Sequence, residues 1–188
     1  MFYQILSLLL DVAAGLVGGA CLLRLYMQYQ RIPMSAHSGN PVGGFVFALT
    51  DWLVLPLRRV VPSAGRLDTA SLLAAYLIEL AQFGLLWLLA GAHTPLLAVL
   101  VLAFFGVFRL LLSLATGLLL VHVVLSWVAT HSPMADLIDR LCAPALAPVR
   151  RIVPLVGRVD LSPLVLLLLL QVGAIVLAGV QTTVLQAL

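Results

Sequence analysis

The sequence predicts an all-α, polytopic membrane protein. About four transmembrane helices form two tandem parallel helix-loop-helix repeats, with short interfacial helices in the loops. Three observations predict this: the composition, four apolar runs of spanning length, and a basic loop motif that occurs twice. Of 188 residues, 63% are hydrophobic and 9% charged, and the mean hydropathy is +1.19. Soluble domains sit near half apolar and a quarter charged. A water-soluble fold of this length could not hide so much apolar surface, which leaves the bilayer as the solvent.

A helix crosses a hydrocarbon core of about 30 Å with roughly 20 apolar residues. Residues Phe2 to Leu25 form the first such run, with Asp11 inside it. Met1 to Gln4 carries no basic side chain and no Ala-x-Ala cleavage pattern follows, so a retained span is expected, not a signal peptide. Gly18 stands where a lipoprotein acceptor site has a branched apolar residue, so Cys21 is not read as a lipid-attachment site. The loop that follows carries Arg31, Arg58, Arg59 and Arg66. Within it, Phe45 to Leu53 is semi-apolar and suits a short amphipathic helix in the headgroup region, with Trp52 at the interface. Thr69 to Ala90 is the second span and contains Glu79.

Leu96 to Val128 contains Arg109 and is long enough to raise the question of two helices. Its first piece, up to Phe108, would rise only about 20 Å, too short to cross comfortably. One tilted helix extending past the membrane surface is the simpler solution. The second loop carries Arg140, Arg150, Arg151 and Arg158, and its Leu137 to Cys142 stretch again suits an interfacial helix, with Trp127 at the interface. Leu161 to Leu188, spanning to about residue 185, completes the set without a charge. The connection near Gly91 to Pro95 and the tail beyond Thr182 contain no Lys or Arg. Basic loops stay in the cytoplasm, so four spans place both loops there and both termini outside. Five spans would break the rule.

The repeats are expected at 1–91 and 92–188. Pro56, Arg58, Arg59, Pro62, Gly65, Arg66 and Asp68 return, 92 residues on and without a gap, as Pro148, Arg150, Arg151, Pro154, Gly157, Arg158 and Asp160. An even number of spans per unit makes the copies parallel, related by an axis along the membrane normal. The same offset pairs Pro41 with Pro133 and Glu79 with Gln171. Each residue type has a local task. The prolines are expected to stop helices, and Gly65 and Gly157 to take a tight turn. Asp68 and Asp160 precede apolar runs, where a carboxylate can cap exposed backbone N–H groups and meet the positive helix end. Adjacent arginines at an interface can snorkel and bind phosphate, so Arg58, Arg59, Arg66, Arg150, Arg151 and Arg158 are candidate lipid- or partner-binding residues.

These motifs make the chain resemble the YggT family of bacterial integral membrane proteins, which is related to plastid proteins. The family signature is a repeated Pro-x-Arg-Arg-x-x-Pro, then Gly and Asp. The second copy adds Ser126-Trp127 before the loop and the run Asp160 to Pro163, whereas the first copy departs from the pattern with Ser71 in place of the proline. The resemblance covers almost the whole chain. It implies a four-span inner-membrane protein, no established enzyme, and membership of a group associated with osmotic-stress tolerance, cell division or envelope organisation, and plastid complex assembly. It carries over no catalytic or binding residues.

Asp11, Glu79 and Arg109 lie roughly 13–21 Å from their span ends, near the midplane. Charges there are costly, face the protein interior and pair. Arg109 with Glu79 is the preferred pair, with Asp11 third, either as a buried ion pair that fixes register or as part of a polar pathway. Gln82, His122, Ser113 and Thr116 could extend a pathway, but no periodic polar stripe connects them in the sequence. Gly15 with Gly19 and Ala174 with Ala178 are small-residue pairs suited to close helix approach.

Cys21 and Cys142 are expected as free thiols, and His37, His93 and His131 show no metal spacing. No phosphate-cradling glycine loop or ordered nucleophilic triad is present, so no catalytic residue, cofactor or metal is expected. The net charge of +3 comes from arginine alone. Its loop placement points to the lipid bilayer, with anionic lipids as partners, not to nucleic acid. A homo-oligomer or a membrane or cytoplasmic protein partner is also compatible. The expected function is a non-enzymatic inner-membrane scaffold or assembly factor in envelope organisation or osmotic-stress response. The alternative is a small ion channel or transporter that uses the midplane charges.

Overall fold

The computed structural model describes residues 1–35, 40–61, 67–92, 95–128, 132–153 and 160–188, apart from the side chain of Phe2. Six helices account for the regular structure among these residues: α1 Phe2–Tyr29, α2 Gly43–Val60, α3 Thr69–Leu89, α4 Leu96–Val128, α5 Pro133–Arg150 and α6 Ser162–Gln186. Helices α1, α3, α4 and α6 are long and apolar enough to cross a bilayer. In lipid each backbone polar group must be satisfied inside its own segment, and a helix does this. The chain is therefore a multi-pass membrane protein, and the order span, short helix, span occurs twice.

The helix ends follow local chemistry. Ile32 N–H returns to Met27 C=O at 2.9 Å and Arg31 N–H to Gln28 C=O at 3.0 Å, while Arg31 takes φ 57°. This is a left-handed C-terminal stop made without glycine. Helix α3 ends the same way with glycine in that place. Gly91 has φ 86°, and Ala92 N–H meets Trp87 C=O at 3.0 Å. Ser132 Oγ accepts from Ala135 N–H at 3.2 Å with Pro133 at the first position, which starts α5.

The long third stretch is one helix of 33 residues, as expected. The two loop helices are longer than expected, 18 residues each, and run through Pro56 and through Pro144 and Pro148. Pro56 and Pro148 therefore do not stop the helices, contrary to the expectation for them. A proline removes a single intrahelical bond, and on an amphipathic helix at a surface water can meet the freed carbonyl. Pro62, Gly65, Pro154 and Gly157 lie outside the described residues.

Helix α3 packs between α1 and α4, and α4 also touches α1 and α6. Helix α2 lies on α1 and α3, and α5 lies on α4 and α6. One buried cluster joins Cys21 and Leu22 of α1 to Val54 of α2 and Ala70 and Ala74 of α3. The other joins Met27 of α1, Leu119 of α4 and Leu137, Leu141 and Leu146 of α5. Both sit where the short helices meet the spans. Helix α6 is peripheral, with only Ser162 and Pro163 buried.

The close approach in α1 is at Gly18, where an added Cβ would stand 2.7 Å from Leu110 Cδ1. A Cβ at Gly15 or Gly19 would meet nothing within 4 Å, so this pair makes no close helix approach within the subunit. The buried face of α1 runs through Ala14, Gly18 and Cys21, and residues 15 and 19 are rotated off it.

Candidate functional site

The motif folds as a staple. Helix α2 delivers Arg58 to the start of α3, where Arg58 Nη2 donates to Asp68 Oδ2 at 2.5 Å and to Gln28 Oε1 of α1 at 3.1 Å. Ser71 Oγ donates to the same Asp68 oxygen at 2.6 Å. One carboxylate thus helps tie three helices together, and it is fully buried. Burial alone would raise the Asp68 pKa from its ordinary 3.8. The bonds from Arg58 and Ser71 and the Arg58 charge outweigh it and hold the group lower. Asp68 occupies the N-cap position of α3, but its side chain makes no cap hydrogen bond, contrary to expectation. A guanidinium is the stronger partner and takes the carboxylate.

In the second copy Arg150 Nε donates to Asp160 Oδ2 at 2.8 Å, and Asp160 Oδ1 accepts from Ser162 N–H at the start of α6, at 2.9 Å. Asp160 therefore does meet the helix end, from the residue before the cap Leu161. Hydrogen bonding from Ser162 lowers its pKa, and with the bond and charge of Arg150 it outweighs the opposing effect of burial. This pair is open to solvent, with the two side chains 49% and 30% exposed.

The arginine pairs thus divide their work. The first arginine is bonded to the aspartate ten residues on. The second, Arg59 or Arg151, is exposed and makes no hydrogen bond or ion pair with the described residues. Arg66 and Arg158 lie outside the described residues, as do His37, His93 and His131.

Arg24 is a buried anchor that its place in the sequence does not single out. It lies near the end of α1 and is only 2% exposed. Its Nη1 donates to Thr50 Oγ1 and pairs with Asp51 Oδ1, both at 2.7 Å, and its guanidinium sits 4.8 Å above the Phe47 ring. This locks α2 onto α1. The available signal was a single arginine at the edge of an apolar run, with Asp51 in the next amphipathic stretch. The second copy has Thr116, Cys142 and Ala143 at the corresponding positions. There α5 is held by His122 Nδ1 to Asp139 Oδ1 at 2.9 Å and by Tyr26 O–H donating to Leu141 C=O at 2.8 Å. Burial, then the charge of Asp139, pushes the Cys142 thiol up to about 11.

Midway along the spans, Asp11, Glu79, Gln82, Arg109 and Ser113 line a cavity of about 290 Å³. Arg109 Nη2 is 3.7 Å from Glu79 Oε2, beyond a hydrogen bond. The Arg109 head lies 5.6 Å from the Phe83 ring centre. Asp11 Oδ1 accepts from Gln82 Nε2, not from Arg109. Glu79 is 1% exposed, and its Oε2 has no hydrogen-bond partner among the described residues. A Cβ at Gly106 would overlap this carboxylate, so glycine there makes its slot.

Arg109 and Ser113 also line a second cleft, about 450 Å³, between α4 and α6. Here a polar seam appears that the sequence reading did not find. Arg109, Ser113 and Thr116 recur at helical spacing on α4 and face Gln171, Ala174, Ala178 and Gln181 of α6. Ala174 and Ala178 line open space, not a tight contact. Among the described residues no group of three His, Cys, Asp or Glu side chains gathers to hold a metal.

The family model CCB3/YggT matches residues 3–89 and 101–181. The uncharacterised protein YggT of Escherichia coli K12 is 33% identical over 168 residues, covering 89% of this chain and 86% of its own. An uncharacterised Vibrio alginolyticus protein is 34% identical over 169 residues, covering 88% and 89%. One from Haemophilus influenzae is 31% identical over 153 residues, covering 79% and 78%. No solved structure matches the chain at a significant level.

Proposed function

The chain belongs to the CCB3/YggT family, and from that premise we propose that it is a non-enzymatic scaffold or assembly factor of the bacterial inner membrane. Its role lies in envelope organisation or the response to osmotic stress. The observation that carries this reading is the division of work within the arginine pairs. Arg58 and Arg150 are bound to their own aspartates, while Arg59 and Arg151 stand exposed at the ends of amphipathic helices. Arg31 and Arg140 are exposed at the same end of the bundle. By the positive-inside rule that end is cytoplasmic and both termini lie outside. Four exposed guanidinium groups beside two amphipathic helices suit the anionic headgroups of the inner leaflet.

The test separates the two arginines of each pair. Replacing Arg59 and Arg151 with Gln should leave folding intact, strip co-purifying anionic lipid and abolish rescue of a deletion strain under osmotic shock. Unchanged lipid retention and unchanged rescue would sink the reading.

The two mid-span cavities meeting at Arg109 favour a second reading, a small ion conduit. It requires potassium or proton flux in proteoliposomes that disappears with Glu79→Gln. A folded protein with no flux above empty liposomes rules it out.

A further inference from the structure

The cavity between α1, α3 and α4 holds an unbalanced set of charges. The charged groups that face it are Asp11 from α1, Glu79 from α3 and Arg109 from α4. Helix α6, across the adjoining cleft, contributes no titratable side chain. With all three ionised the set carries one net negative charge in the least polar part of the molecule, where an uncompensated charge is costly. Arg109 forms the expected ion pair with Glu79 and balances only one of the two acids. Its head is 55% exposed and turned over Phe83, and it stands 3.7 Å from Glu79 Oε2. That oxygen is buried against Gly106 and accepts no hydrogen bond among the described residues, while the Glu79 side chain is part of the cavity lining. Asp11 is the only other acid, and it is oriented into the same space by Gln82.

We propose that this cavity is a site for one exchangeable monovalent cation, held between the Glu79 and Asp11 carboxylates. One further positive charge makes the set neutral. The oxygen donors facing the cavity are the two carboxylates, the Gln82 amide and the Ser113 hydroxyl, a set for a hard cation of low charge. The cavity, at about 290 Å³, has room for the ion and several waters. A divalent ion would leave a net positive charge. Both a proton and an alkali ion meet the requirement, and experiment separates them. Gly106 belongs to the site because it gives the Glu79 carboxylate its slot. The site goes beyond the scaffold role and does not require transport, because it is read at equilibrium.

The test is infrared difference spectroscopy on the full-length protein in lipid nanodiscs. Choline is exchanged for sodium or potassium at fixed pH, and in a second series pH is stepped at fixed salt. The expected result is a carboxyl difference signal, saturating at one cation per chain and lost in both Glu79→Gln and Asp11→Asn. Loss of the alkali response as pH falls identifies an alkali ion that competes with protons. A response to pH alone identifies the proton. A wild-type protein with no carboxyl signal in either series overturns the site, and so does a signal that both variants keep. Should Glu79→Gln fail to fold, Asp11→Asn and the wild-type stoichiometry carry the same decision, because Asp11 is the more exposed acid.

Discussion

The two copies of the loop motif share their key residues and bond them in the same order, yet they sit in different surroundings. Arg58 and Asp68 meet inside the bundle, where α3 is packed on both sides and Asp68 is fully buried. Arg150 and Asp160 meet at the edge, beside the peripheral α6. The difference carries through each copy. Helix α2 is fastened by a buried arginine, α5 by His122 and Tyr26. Glu79 is buried against Gly106, while its counterpart Gln171 lines an open cleft. A duplicated motif thus fixes a connection but not its energetic weight, which depends on what the neighbouring helices leave open to solvent or lipid.

The sharpest way to break this comparison is to remove the same atom group from each copy. Arg58→Ala leaves a buried carboxylate with a hydroxyl for company and should cost about 3 kcal/mol. Arg150→Ala opens a solvated pair and should cost less than about 1 kcal/mol. Equilibrium unfolding in mixed micelles measures both, and equal losses would refute the asymmetry. Next in size, Asp51→Asn strands the buried Arg24 guanidinium and should cost about 2 kcal/mol, against a few tenths for the exposed Asp139→Asn. The same unfolding experiment, run as a pair, reads the ratio.

A smaller effect concerns acid. Asp68 has a lower pKa folded than unfolded, so its stabilisation is present above the unfolded value and lost as pH falls through the folded one. Wild type should therefore lose stability below about pH 4, and an Asp68→Asn variant should show a shallower acid slope. The corresponding change at Asp160 should alter that slope less, because its pair is open to solvent. The smallest signal is chemical. Cys142, raised to about 11, should stay protonated at neutral pH and react with maleimide only when α5 lifts from α4. Weakening the His122 contact should speed that reaction without unfolding the spans.

Much of the architecture is legible in the sequence because lipid imposes a coarse rule. Four runs of apolar residues of the right length had to be helices, and their ends fall within a few residues of those expected. The continuity of α4 was legible for the same reason, since its first piece is too short to cross. The loop helices were harder. Pro56 and Pro148 look like terminators, but at a surface the lost bond is cheap, and α2 and α5 run through them.

Arg24 was missed because an arginine at the end of a span looks like an ordinary anchor. Only its partners on α2 show that it points inward. The α4–α6 seam escaped for a different reason. Its polar residues are sparse on each helix and become a stripe only when the two helices face each other. Arg109 and Glu79 share a cavity, yet Asp11 is taken by Gln82, an amide whose partner the sequence alone could not name.

The unequal lengths of the four spans have a mechanical consequence. Helices α1, α3, α4 and α6 contain 28, 21, 33 and 25 residues. At 1.5 Å per residue they measure about 42, 32, 50 and 38 Å, against a hydrocarbon core of about 30 Å. Only α3 matches that core, and it is wedged between α1 and α4 with Arg58 fastened at one end. The shortest helix therefore acts as the gauge of the assembly. Its neighbours have slack to absorb a thicker bilayer, but α3 has none, so thickening loads the Arg58–Asp68 staple first.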